Sequence, residues 1–150
     1  MLYRLYQPGD FVQLYAIEEL CFQPPLRFSR AYIRKLTQSP DSAAWIAEED
    51  IQLAGFAIVE LSMAAGVPIA YIQTIEVAPN FRKRGIASEL LRHVEDSARD
   101  AGAHTIWLHV AEGNAAAIHL YESEGYLPQG RAADYYADNL AALIYGKSLA

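Results

Sequence analysis

The feature that most constrains this chain is a buried strand that leads through a cationic turn directly into an amphipathic helix. The apolar run 69–77 is typical of a buried strand, and Pro79-Asn80 ends it. Residues 82–84, Arg-Lys-Arg, follow, and a helix with one apolar face begins at once. The first turn of such a helix has free backbone N–H groups, and Gly85 and Ala87 let an anion approach them closely. The segment therefore predicts a phosphate-binding turn.

Two familiar phosphate loops do not fit this turn. The chain has no G-x-x-x-x-G-K-[ST] segment, and Leu90 stands where the dinucleotide pattern G-x-G-x-x-G needs its last glycine. The pattern that is present, Arg-x-x-Gly-x-Ala, resembles the loop with which the GNAT N-acetyltransferase superfamily binds the pyrophosphate of acyl-coenzyme A. The competing interpretation is an ordinary strand-to-helix turn with solvated charges.

A second motif follows in the order that this superfamily has. Asn114, Ala117 and Tyr121 are spaced by three and four residues, which places them on one face of a helix. Asn114 is a natural N-cap, and Gly125 is a natural residue to end the helix. The segment 114–126 looks like the second GNAT motif. The alternative is an amphipathic helix whose tyrosine only packs in the core.

Composition narrows the class of protein. The 150 residues suffice for one domain with a real core, so we expect a single domain over residues 1–150. The net charge of −6 argues against nonspecific nucleic-acid binding, and no apolar run approaches a membrane span. Cys21 is the only cysteine, so an internal disulfide is impossible. We expect a cytoplasmic protein, monomer or homodimer, with no nucleic-acid or membrane partner.

The order of the predicted elements is that of the GNAT fold. The resemblance implies an α/β fold with a splayed, mixed and mostly antiparallel sheet of about seven strands, flanked by about four helices. Asp10 should cap the first helix and Ser29 the second, and Ser62 to Pro68 should form a flexible loop. Strands are predicted at 2–6, 43–48, 51–61, 69–77, 104–110, 126–133 and 140–148, with a turn at Glu49-Asp50 and helices at 10–22, from 29, at 85–101 and at 114–124.

The resemblance also implies a cosubstrate, acetyl-CoA, and no metal. A main-chain N–H at or next to Val77 would polarise the thioester carbonyl, and Tyr121 would protonate the leaving sulfur. Full transfer from a tyrosine near pKa 10 to a thiolate near 8.5 is uphill by roughly 2 kcal/mol, so a hydrogen bond with late proton release is expected. The residues implied to hold the coenzyme are Ile75, Glu76, Val77, Arg82, Lys83, Arg84, Gly85, Ile86, Ala87, Ser88, Asn114, Ala117 and Tyr121.

The expected base is His109, working with Tyr71 on the adjacent strand. The segment Leu-His-Val resembles eukaryotic N-terminal acetyltransferases that act on methionine-initiated peptides, in which a histidine and a tyrosine occupy these positions. The bacterial RimI-like ribosomal-protein alanine acetyltransferases share Trp-Leu-x-Val and Asn-Ala-Ala-Ala-Ile-x-Leu-Tyr-Glu-Ser with this chain, but they carry glutamate where His109 stands. The alternative is a strand histidine with a purely structural role.

Strict alternation along the 69–77 strand decides which side chains can join that base. It puts Tyr71, Gln73 and Ile75 on one face and Thr74 and Glu76 on the other, which disfavours Glu76 as the base. A bulge in this strand would reverse that assignment.

The ordinary pKa values of the two kinds of protein amine favour an α-amine as the acceptor. A terminal amine titrates near 7.8 and a lysine near 10.4, so at pH 7 roughly a tenth of the former is neutral and less than about a thousandth of the latter. A histidine with a pKa near 6.5 is a suitable base for deprotonating the terminal amine.

A third resemblance concerns the acceptor. Asp134-Tyr135-Tyr136 matches the tyrosine pair that N-terminal acetyltransferases place over the peptide, and 22–28 resembles their first inter-helix loop. Gln73 departs from the apolar residue of the methionine-preferring enzymes. The implied substrate-binding residues are Phe22, Pro25, Leu26, Gln73, Tyr135 and Tyr136.

The function expected from these motifs is acetyl transfer to a protein or peptide N-terminus. Two alternatives stay open. One is acetylation of a small amine such as a polyamine, amino acid or antibiotic, and the other is a non-catalytic acyl-CoA-binding module.

Overall fold

The computed structural model describes residues 1–150 and contains seven strands and four helices. The strands are β1 (Leu2–Leu5), β2 (Ser42–Glu49), β3 (Gln52–Ala64), β4 (Val67–Val77), β5 (Thr105–Ala111), β6 (Leu127–Ala137) and β7 (Leu140–Ser148). The helices are α1 (Phe11–Cys21), α2 (Arg30–Gln38), α3 (Ile86–Asp100) and α4 (Ala115–Ser123), with short 3-10 turns at Pro8–Asp10 and Pro79–Phe81. This order confirms the one predicted from the sequence.

All seven strands form one sheet in the order β1-β2-β3-β4-β5-β7-β6. Every neighbouring pair is antiparallel except β4 and β5, which run parallel. That parallel pairing ends at Ile72 and Leu108, beyond which the two strands diverge. The predicted splay is therefore present, and it opens where the second half of β4 faces the end of β5.

Helices cover both faces of the sheet. On one face, the Trp45 indole N–H donates to Ser97 Oγ of α3 over 2.8 Å. On the other, Tyr32 of α2 donates to Gln73 of β4 over 2.9 Å. The buried core between these layers is apolar and includes Leu14, Ile33, Ile46, Phe56, Ile58, Leu90, Leu91, Val94, Ile106 and Leu108. No helix is long and apolar enough to cross a membrane.

Three local predictions were wrong. The expected loop between β3 and β4 is a tight hairpin, because Ala65 and Gly66 adopt positive φ (51° and 79°) and let both strands continue to the turn. The preceding hairpin turns at Asp50 and Ile51, one residue later than predicted, for the same reason. The last hairpin differs too: β6 continues to Ala137 instead of ending at 133, although 133–136 have no partner in β7.

Asp10 lies at the first helix's N-cap position, but its carboxylate does not cap that helix. It accepts the N–H of Gln7 over 2.8 Å and two hydrogen bonds from the Arg4 guanidinium. The two charged hydrogen bonds from Arg4 are stronger than a hydrogen bond from a backbone N–H in the first turn of α1, so the carboxylate is directed to Arg4. Ser29 caps α2 as predicted, accepting from the Tyr32 N–H.

A bulge in β4 reverses the predicted faces of that strand. Ile72 pairs with Val59 and Thr74 pairs with Ile58, so Gln73 is an extra residue without a partner. Since directly paired residues share a face, Tyr71 lies on the same face as Thr74 and Glu76. The expectation that Ile75 shares a face with Tyr71 and that Glu76 is opposite was wrong beyond the bulge.

Candidate active site

A cleft of about 1040 Å³ opens where β4 and β5 diverge. One wall is the turn between β4 and α3, and the other is the end of β5, helix α4 and the β6–β7 hairpin. Most of its lining is apolar. The residues predicted to hold a coenzyme that line it are Ile75, Glu76, Val77, Arg82, Lys83, Gly85, Ile86, Ala87, Ser88, Asn114, Ala117 and Tyr121.

The turn before α3 has the backbone of an anion site. Gly85 is the N-cap residue with φ 77°, and Lys83 also has positive φ, 64°. No side chain caps the first turn, so its N–H groups face the cleft without an intrahelical partner. A Cβ built on Gly85 would meet nothing within 4 Å, which leaves room in front of those donors.

The three cations of this turn differ in their partners. Arg82 reaches back over the end of β4, where its Nε donates to the Val77 carbonyl over 3.1 Å. Lys83 lines the cleft. Arg84 does not line it, because its guanidinium binds the Glu49 carboxylate over 2.8 and 3.2 Å. In this structure the Arg84 side chain is directed to Glu49 and away from the cleft, so its contact with the coenzyme stays a prediction.

Helix α4 supplies the opposite wall. Asn114 Oδ1 accepts the N–H of Ala117 over 3.2 Å, which confirms the predicted N-cap. Tyr121 is buried and its ring meets Tyr126 edge-on, with ring centres 5.5 Å apart. Burial, and after it the nearby Tyr136, raises the pKa of Tyr121. The hydroxyl therefore stays protonated at neutral pH and can donate a hydrogen bond.

A smaller cavity of about 80 Å³ adjoins the cleft. Phe22, Leu26, Tyr121 and Tyr136 line both spaces, so the two communicate. The predicted site residues Gln73 and His109 line only the smaller one, together with Phe28 and Thr74. A large cleft with a short side pocket suits a long cosubstrate and a compact reacting group.

His109 and Tyr71 form the predicted pair. The Tyr71 hydroxyl lies 2.7 Å from His109 Nδ1, and the Tyr135 ring stacks on the imidazole with centres 4.1 Å apart. Burial lowers the pKa of His109. Burial, followed by Tyr135, raises the pKa of Tyr71. At neutral pH the pair is thus a neutral imidazole beside a protonated phenol.

Glu76 lies in the interior of the protein, where a solvent-exposed base would not lie. Its side chain is buried, Oε2 accepts from Thr74 Oγ1 over 2.7 Å, and Oε1 has no partner. Burial and the neighbouring Glu18 raise the pKa of Glu76 well above its usual range. Glu18 of α1 is also buried, and its Oε1 is likewise without a partner.

The remaining predicted residues lie at the margins of the two spaces. Tyr71 and Tyr135 line neither but contact His109, which does. Tyr136 lines both, and burial and Tyr135 raise its pKa to about 12. Pro25 lines neither cavity, whereas its neighbour Leu26 lines both.

Sequence reasoning missed several residues of this site. Arg131 of β6 forms an ion pair with Glu112 at the end of β5, and both line the cleft. Glu60 and Tyr32 bind Gln73. No short motif marks these residues, since hairpin pairing and helix docking bring them together. The strand register of the β3–β4 hairpin would have placed Glu60 opposite Tyr71, had its turn been recognised.

Comparison with known protein families gives one clear match. Residues 11–126 match the model described as the acetyltransferase (GNAT) family. Streptothricin acetyltransferase of Streptomyces lavendulae is 43% identical over 90 residues, covering 59% of this chain and 47% of the relative. The ribosomal protein bS18-alanine N-acetyltransferase of Salmonella typhimurium is 38% identical over 87 residues, covering 58% of this chain and 56% of the relative.

These sequence matches thus span about half the length of each curated relative. Similarity of structure extends further. The crystal structure of the ribosomal-protein-S18-alanine N-acetyltransferase from Escherichia coli superposes with a TM-score of 0.86 at 25% identity, covering 99% of this chain and 94% of that one.

Proposed function

Because the chain belongs to the GNAT acetyltransferase family, we propose that it transfers the acetyl group of acetyl-CoA to the α-amino group of a protein or peptide. The observation that carries the acceptor assignment is the Tyr71–His109 contact beside the acceptor-sized cavity. It supplies a neutral imidazole whose pKa burial lowers, a weak base that suits a terminal amine near pKa 7.8 and not a lysine near 10.4.

The cleft fits the coenzyme. The uncapped first turn of α3, the open space before Gly85 and the lysine beside it suit a pyrophosphate. The apolar wall from Ile75 to Ala117 suits a pantetheine arm, which acetyl-CoA carries together with an activated thioester. Backbone N–H groups on the edge of β4 beyond Ile72 have no partner in β5, and we assign one at or near Val77 to polarise the thioester carbonyl.

The amine must lose a proton as it attacks. Tyr71 stays protonated and can donate to His109 Nδ1 when that nitrogen carries no proton. Because Tyr71 does not line the acceptor cavity, a water molecule can carry an amine proton to the Tyr71 oxygen while the Tyr71 proton passes to Nδ1. His109 is the final acceptor, and Tyr71 ends as it began.

The departing sulfur, in contrast to the amine, needs a hydrogen-bond or proton donor. Tyr121 lines both the cleft and the acceptor cavity, and it keeps its proton because burial raises its pKa. Its hydroxyl is the donor we assign to the developing thiolate. The proton of the amine and the hydrogen bond to the sulfur are thus assigned to different residues, both of which line the acceptor cavity.

The acceptor cavity favours a short first side chain. Its volume is about 80 Å³, and Gln73 and Thr74 make part of its wall polar. Phe22, Leu26 and Tyr136 enclose the rest. Alanine or serine at the first position fits this space better than methionine does. The resemblance in structure to an S18-alanine acetyltransferase supports the same preference.

A small amine is the second candidate acceptor, since a streptothricin acetyltransferase is among the similar sequences. A non-catalytic acyl-CoA-binding module is the third, but it leaves the Tyr71–His109 contact without a role. We assign the activity to residues 1–150 as one domain. We place it in the cytoplasm, where the lone Cys21 stays reduced.

One experiment separates these candidates. The protein is incubated with acetyl-CoA and peptides varied at the first two residues, and mass spectrometry locates the acetyl group. Matched peptides with a blocked N-terminus and one internal lysine are the control, and spermidine and amino-acid amides run in parallel. We expect acetylation only of free N-termini. Product from small amines alone would replace this proposal by the second candidate, and binding of acetyl-CoA without any product would support the third.

A further inference from the structure

A partly buried carboxylate stands at the acceptor side of the site without a counter-ion. Glu60 of β3 lies directly opposite Tyr71 of β4, so their side chains share a face of the sheet. Gln73 Nε2 donates to Glu60 Oε1 over 3.0 Å, and Gln73 Oε1 accepts from the Tyr32 hydroxyl over 2.9 Å. This chain of hydrogen bonds fixes the carboxylate in place.

Glu60 forms no ion pair with any lysine, arginine or histidine of the chain. The protein binds only one of its oxygens, through Gln73, and Oε2 remains available. Holding a charged group partly out of water costs free energy unless a partner compensates for it. The fixed geometry and the missing cation together indicate that the partner comes from outside the chain.

The surroundings suit an organic cation. Three tyrosines lie near this carboxylate. Tyr71 is paired with Glu60 across the two strands, the Tyr32 hydroxyl binds the same Gln73, and Tyr135 stacks on His109 beside Tyr71. Aromatic faces and a carboxylate are the groups that bind ammonium and guanidinium ions. A metal ion, by contrast, needs several ligands. No group of three or more histidine, cysteine, aspartate or glutamate side chains in this structure could hold one.

The distance between Glu60 and His109 indicates where a second positive charge would lie on the acceptor. Glu60, Tyr71 and His109 lie on three successive strands, and two inter-strand spacings of about 4.8 Å put β3 roughly 10 Å from β5. An extended peptide advances about 3.5 Å per residue, and a lysine side chain with bonds of about 1.5 Å adds roughly 6 Å. Because that side chain leaves an extended backbone roughly at a right angle, its cation lies about 7 Å from the attacking amine. The Glu60 side chain, which extends from β3 to Gln73, spans the rest of the distance between the strands.

From this geometry we propose that Glu60 selects acceptors with a second positive charge, and that the acceptor is a peptide whose second residue is lysine or arginine. The proposal deepens the proposed function and rests on it. A diamine of similar span offers the same chemistry, so the experiment includes both sources.

The test compares Ala-Lys and Ala-Gln peptides of otherwise identical sequence. With the unaltered protein, kcat/KM should be about three- to tenfold higher for Ala-Lys, as expected of a partly exposed ion pair supported by aromatic rings. Glu60→Gln keeps the volume and an acceptor oxygen for Gln73 but removes the charge. It should abolish the preference, so that kcat/KM for the Ala-Lys peptide falls to that for the Ala-Gln peptide. Added salt should reduce the preference in the same way.

Asp100→Asn is the matched control, because it removes the same charge at the exposed end of α3, far from the site. It should leave the preference intact. An equal loss for both peptides in Glu60→Gln, or no preference in the unaltered protein, overturns the proposal.

Two further arms separate this inference from the proposed function. Spermidine and butylamine replace the peptides; a Glu60-dependent preference seen only there means that the second charge is selected but the acceptor is a small amine. If no acceptor is acetylated, the proposed function fails, and calorimetry of the CoA-saturated protein with the same two peptides still decides the inference. Equal affinities for them would overturn it.

Discussion

The hydroxyl of Tyr71 and Nδ1 of His109 make a 2.7 Å contact diagonally across β4 and β5, at the point where these strands stop pairing. Tyr71 is paired in register with Trp107, and His109 is two residues further along β5. The contact therefore bridges the beginning of the splay. It joins the last paired part of β4 to the first residue of β5 that has no partner in β4, and His109 lines the smaller cavity.

The first prediction concerns this pair. His109→Ala and Tyr71→Phe should each lower kcat/KM about 10²–10⁴-fold if the relay operates, and the double variant should be little worse than either. Steady-state rates at several pH values test this. Since burial lowers the pKa of His109, the imidazole stays neutral below its ordinary range, and the acid limb should follow mainly the amine.

The loss in His109→Ala should shrink at high pH, where the amine deprotonates without help. Losses that are additive in the double variant would mean that the two side chains act independently. A loss of equal size at every pH would remove His109 from the role of base and leave it a packing role under Tyr135.

The second prediction concerns the phosphate-binding turn. Gly85→Glu would put a carboxylate into the open space before the first turn of α3, so the affinity for CoA should fall more than about tenfold. Gly66→Glu is the matched control, since Gly66 also has positive φ and open space, but it lies in the β3–β4 turn. Calorimetry should show normal CoA affinity in the control. Equal affinities in the two variants would contradict the assignment.

The third prediction separates the cations of that turn. Arg84→Ala should change the affinity for CoA only slightly, because Glu49 already holds that guanidinium. Lys83→Ala should weaken binding about two- to fivefold, with a loss that diminishes as salt is added. The measurement is CoA affinity at two ionic strengths. A larger loss for Arg84→Ala would mean that Arg84 leaves Glu49 when CoA binds.

The sequence was sufficient where structure is local. The strand, cationic turn and helix over 69–101 and the capped helix after Asn114 are contiguous segments, and their hydrogen bonds lie within a few residues of one another. The residue types of these two segments were enough to predict the fold and the two walls of the cleft. The Tyr71–His109 contact was expected as well, because the resemblance to N-terminal acetyltransferases implied a histidine and a tyrosine at these positions.

The rest depends on long-range partners that no short pattern displays. The bulge at Gln73 arises from how β4 pairs with β3, and it reverses the face of Glu76. The position of Arg84 depends on Glu49, thirty-five residues earlier in the chain. The carboxylate of Glu60 joins the site only because the β3–β4 hairpin has a two-residue turn in place of the expected loop.

The fourth prediction concerns Tyr121. Tyr121→Phe removes only a hydroxyl, so turnover should fall while CoA affinity stays within about twofold. Because burial raises the pKa of Tyr121, the donor keeps its proton across the working range, and the loss should not vary between pH 6 and 9. Tyr145→Phe is the control, since that hydroxyl binds Glu122 and Tyr145 does not line the cleft. Pre-steady-state rates must show that chemistry limits turnover; unchanged rates would then leave Tyr121 only a packing role.

The fifth prediction concerns stability and the buried carboxyls of Glu18 and Glu76. Each has an Oε1 without a partner, and the Glu76 pKa is raised well above its usual range by burial and then by Glu18. A raised pKa means that the folded protein binds a proton that the unfolded chain releases at neutral pH. The stability that this proton confers is complete below about pH 4, the unfolded pKa of glutamate, and is lost as pH rises through the folded pKa of Glu76.

The melting temperature should therefore decline as pH rises toward the folded pKa of Glu76, by about 2–4 °C for each kcal/mol lost in a chain of this size. Glu76→Gln keeps the shape and removes the titration, so its melting temperature should decline less over the same range and exceed that of the unaltered protein at the alkaline end. Calorimetric melting from pH 5 to 9 measures both. Glu19→Gln, an exposed neighbour of Glu18, is the control and should keep the original slope. If Glu76→Gln also keeps that slope, the proton is bound by another group.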